Sequence, residues 1–580
     1  VEIGPQRWRV LSIALLGFVS CTGQIGDPAP QNGPGAGASI GSVPPPSTGD
    51  PPPPGDPPPG DPEPPPESCG AQTTQRARRI SLSEYERAVS RLLDVNVGVA
   101  NNFAPEPSSH GFDNQSDKLT ISSGNFEEFA AAAEIAAEGA DVAARAPCAP
   151  GALAENCASE FVTLFARQAY GRTLSEAELA DLSMLYQQGA LLDGYERGIR
   201  TVMAAILVSP HFLYREEVGV AARSEGAAIL SANEVANAVA FALTGSRPDA
   251  TLMARAALDP TFRSPTVLRE EAKRLVATPE ARRHLARFLR GWLGVPDLRT
   301  VNKIPGLFPS FTPRLQADLD TELDLFLEYV LGEEGGKFEA LLGSTVTFAS
   351  APLLATIYAG DYRAPLVPPA PPAPGEFAKI ELNTKIRKGV LSLGGWLAAH
   401  APVHRSSPVD RGLAIRTRFF CHHIDPPPPG ATATAPGPGD GAATTRQKFE
   451  AHANNVVCRS CHRLMDPIGF GMEMMDALGA YRDTEGGLPV DSSGTLTDTD
   501  VDGPFQGPAE LADKLLASRQ VRDCFVVQMF RYIEGRDEIN EDSCVISRLQ
   551  GFFSQEKTTI GELATEMVTD PSFILRSIQP

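Results

Sequence analysis

Apolar residues recur along most of this chain at intervals of three and four. Leu82, Tyr85, Val89, Leu92 and Leu93 fall on one stripe, the pattern of an amphipathic helix. Phe126 to Ala144 is an alanine-rich run of strong helix formers, and Phe161, Leu164 and Phe165 repeat the helical spacing. Three helix starts carry a capping box, a hydroxyl paired with a carboxylate three residues on: Ser81 with Glu84, Ser175 with Glu178, and Ser231 with Glu234. Period-two alternation is scarce, and the best strand candidates are Thr345–Ala349 and Ile380–Leu382. No repeat of fixed period is evident. Two Pro-rich breaks, Pro365–Pro374 and Pro426–Pro438, mark boundaries or surface excursions. The pattern predicts a mainly α, multi-module helical protein with little β.

Length and charge narrow the picture. A chain of 580 residues exceeds one core and predicts several units. The net charge is −20 and no Lys/Arg-rich run offers a basic face, so no nucleic-acid partner is expected. Arg7 and Arg9 precede an apolar run, Val10–Ser20, too short to span a hydrocarbon core of about 30 Å. Residues 1–21 therefore read as a secretory signal. Its end, Phe18-Val19-Ser20-Cys21, resembles a lipobox with Phe18 where Leu is usual, which predicts lipidation of Cys21 and attachment to a membrane through that anchor; plain secretion is the alternative. Residues 22–68 hold 17 Pro, six acidic and no basic residues, and too few large apolar side chains to offset the entropy of ordering. This stretch reads as a disordered tether, and its acidity accounts for nearly a third of the net charge.

The chemistry is concentrated at Cys458-Arg459-Ser460-Cys461-His462, a Cys-x-x-Cys-His sequence. Two thiols at this spacing can form thioethers to one porphyrin, and the adjacent imidazole then becomes the proximal iron ligand. One covalent haem c is expected, held by Cys458, Cys461 and His462. The competing reading is a redox or zinc Cys pair, for which Cys421-His422-His423 could supply further ligands. For the distal position, His452 and Met529 are the candidates. Met465, three residues after His462, falls on the proximal side, and the same objection applies more weakly to Met472, Met474 and Met475.

The run CRSCHRLMDPIGFGMEMMDALGAYR, Cys458–Arg482, resembles the haem-motif segment of secreted planctomycete- and myxobacterial-type proteins built from the domain-of-unknown-function families 1587, 1595, 1592, 1588 and 1585. Arg79–Asp94 and His110–Ser122 resemble the first module. Phe161–Glu178 and Ser209–Tyr214 resemble the second, and Leu230–Leu293 with Leu307-Phe308-Pro309 the third. Arg387–Leu391, Ser407–Gly412, Pro426–Pro429 and the haem segment resemble the fourth; Tyr532–Arg536 and Asp570–Arg576 resemble the last. The resemblance implies modules at 69–147, 148–222, 223–343, 344–485 (with the haem motif) and 486–580. It also implies a secreted, haem-binding protein of electron-transfer type, and supplies no substrate.

Setting aside Cys21, Cys458 and Cys461 leaves six of nine cysteines, enough for three disulfides in an oxidising compartment. Cys148 with Cys157 closes a short loop, Cys524 with Cys544 would join two predicted helices, and Cys69 with Cys421 follows by elimination; free buried thiols are the alternative. Asp498–Gly503 copies the first half of a calcium loop, but position twelve is Ala509 and Glu510 falls one place late, so a polar turn is the preferred reading over a calcium site. Asp320 and Glu322 read as a solvated acidic helix face. The expected protein is an exported, lipid-anchored, monohaem c-type cytochrome of the periplasm or cell surface, with the outer membrane as its expected place. Its cytochrome c-like region is carboxy-terminal, with Ile468-Gly469-Phe470 shielding the haem. Electron transfer with an unidentified redox partner protein is the expected function. The alternatives are a haem enzyme with an open distal site acting on peroxide or an organic substrate, and a surface binding or assembly protein with structural haem or Cys/His zinc.

Overall fold

Helices begin where the reciprocal caps lie. In the computed structural model the Ser81 hydroxyl accepts the Glu84 N–H and the Glu84 carboxylate accepts the Ser81 N–H, opening helix Leu82–Leu93. Ser175 with Glu178 opens Glu176–Val208, and Ser231 with Glu234 opens Ala232–Thr244. A fourth box, Thr559 with Glu562, opens Ile560–Thr569. The structure describes residue 69 and residues 77–577, except 99–101, 149–152, 220, 225–226, 360–371, 426–442, 454–455 and 556. The expected signal with Cys21, the tether and most of both Pro-rich breaks lie outside the described residues. About 59 % helix against 8 % strand makes the fold mainly α.

The alanine-rich segment forms helix Ser123–Gly139 and then stops, because Asp141 caps a separate short turn, Val142–Arg145. Small side chains let this helix lie against Glu176–Val208, which bends where Asp193 and Gly194 leave helical geometry. Beneath them the rings of Tyr85, Phe103, Phe129 and Phe212 meet with centroids 4.9 to 6.5 Å apart. A second aromatic cluster, Phe288, Trp292, Phe338, Phe525 and Phe553, lies in the core shared by later segments. That core runs in sequence from Cys69 to Phe573.

Short antiparallel strands fasten distant segments. The two sequence candidates pair with each other: Val346–Ala349 lies against Ala378–Glu381. Ala77–Arg79 pairs with Tyr214–Glu216, and Leu575–Ser577 pairs with Ala227–Ile229. Glu217, beside this junction, receives three arginines: Arg215 Nη2 at 2.7 Å, Arg576 Nε at 2.7 Å and Arg78 Nε at 3.3 Å.

Two expectations are corrected here. Cys148–Cys157 forms, but Cys69 bonds Cys544 and Cys421 bonds Cys524, so neither Cys69–Cys421 nor Cys524–Cys544 exists. The buried Cys524 side of its helix faces the end of the Ile415–Phe419 segment, and only the tertiary packing brings that segment there. The acidic face at Asp320 and Glu322 is not solvated. Glu322 is fully buried, with Tyr358 and Thr347 donating hydroxyls to Oε1; burial pushes its carboxyl up to about 7. Asp320 pairs with Arg290. No helix among the described residues is long and apolar enough to cross a membrane, and three disulfides are consistent with export.

Candidate haem-attachment site

The Cys-x-x-Cys-His sequence lies in the first half of helix Val456–Phe470. Cys461 and His462 are half-buried, while the side chains of Cys458 and His452 lie outside the described residues. The second half of the helix crosses Pro408–Ala414 at glycines. A Cβ on Gly412 would lie 2.0 Å from the Met465 carbonyl oxygen, and one on Gly469 would lie 1.9 Å from that of Pro408. Both positions therefore require glycine for the backbones to touch. Ile468 is fully buried, and Phe470 is buried with the Arg446 guanidinium 4.9 Å from its ring centroid.

Arginines hold the backbone around the crossing. Arg416 Nε donates to the Leu464 carbonyl at 2.8 Å and Nη2 to Thr497 Oγ1 at 3.2 Å. Arg411, fully buried, donates to the carbonyls of Met472, Met475 and Asp476 at 3.1, 2.9 and 2.6 Å. Arg387, also fully buried, reaches the carbonyls of Ile357 and Gly479 at 3.0 and 2.6 Å, with its guanidinium 4.8 Å from the Tyr358 ring centroid.

Sequence reasoning missed Asp466. Its carboxylate accepts from His462 Nδ1, with both oxygens at 3.0 Å, and it is 3 % exposed. The four-residue spacing on one helix is the signal that could have found it. This hydrogen bond raises the His462 imidazole above its ordinary value, outweighing the lowering from partial burial. With Nδ1 turned to a carboxylate, Nε2 is the nitrogen that would meet a metal, the usual arrangement of a ligating histidine. The thiol and imidazole chemistry of Cys461 and His462 thus fits covalent haem.

The other candidates fare differently. Met529 is fully buried in helix Arg519–Glu534 as part of the hydrophobic core, as are Met472 and Met475. Cys421 is spent in its disulfide, so it cannot serve as a zinc thiolate, and no group of three or more metal-ligating side chains occurs among the described residues. In the calcium-like turn, Asp500 accepts the N–H groups of Arg519 and Gln520 at 2.6 and 3.1 Å, and Asp502 accepts those of Thr499 and Asp498 at 2.7 and 3.2 Å. These carboxylates cap a helix and close a turn.

Five family models match in order: DUF1587 at 78–142, DUF1595 at 157–217, DUF1592 at 230–359, DUF1588 (PSCyt3) at 387–485 and DUF1585 at 502–573, each described as a protein of unknown function. The chain belongs to these families. The DUF1588 match begins at Arg387 and contains both crossing helices, Asp466 and the Cys-x-x-Cys-His sequence. The five matches together indicate a planctomycete cytochrome-c-like protein. No curated protein and no solved structure matches the chain.

Proposed function

We propose that the protein is an exported, lipid-anchored, monohaem c-type cytochrome-like protein that passes electrons to and from a partner. The observation that carries this reading is the Cys-x-x-Cys-His sequence on one helix with His462 oriented by a buried carboxylate. Bound there, haem would supply a one-electron iron(III)/iron(II) couple. The chain's own residues hold it and its surroundings: Cys458 and Cys461 as thioether sites, His462 as proximal ligand, Ile468 and Phe470 against water. The distal ligand is proposed as His452 or Met529, the anchor as lipid on Cys21, and the location as periplasm or outer-membrane surface.

A second reading, a haem enzyme with an open distal position, is favoured by the three family segments within residues 78–359, which lie outside the haem-motif match. One experiment separates the readings: full-length protein matured with haem is examined on a denaturing gel and by absorption. Covalent haem with a low-spin spectrum indifferent to carbon monoxide after reduction is the expected result. A carbon monoxide-sensitive high-spin spectrum replaces the carrier with the enzyme, and absence of covalent haem overturns both.

A further inference from the structure

Asp466 is more than a neighbour of His462 in sequence, because the backbone on either side of it is held by contacts of its own. On its amino-terminal side, Arg416 Nε grips the Leu464 carbonyl at 2.8 Å and Gly412 abuts Met465 so closely that a Cβ would lie 2.0 Å from the carbonyl oxygen. On its carboxy-terminal side comes Pro467, and then Gly469, seated against the Pro408 carbonyl. Arg416 belongs to the Ile415–Phe419 segment, which the Cys421–Cys524 disulfide ties to helix Arg519–Glu534. The backbone that carries this carboxylate is thus held by contacts that do not involve His462.

An ordinary surface pair at this spacing contributes little to a helix. Asp466 differs in being 3 % exposed, with both oxygens 3.0 Å from the same nitrogen. In such surroundings a charge-assisted hydrogen bond is stronger than in water, and a carboxylate behind a ligating histidine raises the basicity of the ligand.

We propose that Asp466 is a positioning residue for the haem: it fixes the His462 ring with Nε2 toward iron and gives the imidazole anionic character, stabilising iron(III) over iron(II) and lowering the reduction potential of the site. The proposal rests on the haem reading above and deepens it. A strongly donating proximal histidine suits a low-potential carrier, and equally an open site that must push electron density onto a bound oxidant. Asp466 therefore acts the same way under either functional reading.

The test compares full-length holoprotein with its Asp466→Asn and Asp466→Glu variants by mediated redox titration, after a denaturing gel has established covalent haem in each. Asp466→Asn keeps the size of the side chain and removes the charge, so the midpoint potential is expected to rise, by about 59 mV for each tenfold loss of preference for iron(III). Asp466→Glu is expected to restore part of the shift, which a merely structural role would not do. An Asn variant with attached haem and an unchanged potential overturns the proposal. Should the Asn variant fail to mature, the ¹⁵N resonance of His462 Nδ1 in the unmodified holoprotein decides: a position displaced toward imidazolate supports the proposal, and an ordinary neutral-imidazole position overturns it. Absence of covalent haem in the unmodified protein overturns the haem reading, and the proposal with it.

Discussion

The junction around Glu217 and the crossing around Arg411 both bury arginine, and they do so in opposite ways. At the junction, Arg78, Arg215 and Arg576, from three strands far apart in sequence, converge on one carboxylate that is 1 % exposed. Burial pushes the Glu217 carboxyl up, but the guanidiniums of Arg576, Arg78 and Arg215 outweigh it and hold the group well below its ordinary value. At the crossing, Arg411, Arg416 and Arg387 spend their donors mainly on backbone carbonyls, and the nearest carboxylate to Arg411, Glu473, is 3.8 Å away and pairs more closely with Arg482. A shared carboxylate neutralises cations that strand pairing has already brought together. A guanidinium laid across several carbonyls instead fixes irregular backbone, here the stretch that follows the Cys-x-x-Cys-His helix. The rigidity needed at the candidate haem site thus comes from directional hydrogen bonds, while at the junction charge adds to the strand pairing that closes the chain onto itself.

Four substitutions test the contrast. The largest effect is expected from Arg411→Met, which leaves three carbonyls without their donor at a cost of about 1–3 kcal/mol each if they stay dry. An unfolding free energy from urea titration within about 1 kcal/mol of the parent would show that water replaces the guanidinium and that the clamp is dispensable. Glu217→Gln follows, since three buried cations lose their counter-charge, with about 3–5 kcal/mol expected. Because the native Glu217 carboxyl lies below its ordinary value of 4.5, its contribution is full above that pH and fades as pH falls toward the native value. The gap between parent and variant should therefore close only in acid, and a gap independent of pH would refute the charge hub.

Glu322 supplies the intermediate case, a buried carboxylate met by hydroxyls. Raised to about 7, it binds a proton in the native state that the unfolded chain releases near 4.5. Its linkage therefore lowers stability as pH rises between those values, by up to about 3 kcal/mol at pH 8. Thermal melts of Glu322→Gln should lose that slope, and a slope identical to the parent's would exclude Glu322 as its source. The smallest effect, about 1–3 kcal/mol, is expected for Gly412→Ala, whose methyl forces the crossing helices apart. An unchanged denaturation midpoint would mean the crossing is loose.

The helix starts were legible because a capping box is local: Ser81 and Glu84 satisfy each other whatever the rest of the chain does. The strand candidates near 346 and 380 were legible for their alternation, and their mutual pairing was not, since register depends on what covers them. Glu322 was misread because its neighbours are acidic. Leu315, Leu319, Leu323 and Phe326 share its buried stripe, and that spacing was the better guide. Asp466 was visible at four residues from His462 but had no weight until its burial was known.

What the sequence determined by itself is what short-range chemistry controls: helix caps, amphipathic stripes, the Cys-x-x-Cys-His sequence and its five-family setting. What only the tertiary structure decided is partnership across distance. Six cysteines permit many pairings, and Cys69 with Cys544, 475 residues apart, is chosen by where packing places them. The same holds for Glu217 and its three arginines, because contact between residues far apart in sequence is a property of the assembled core and leaves no local mark on the residues that share it.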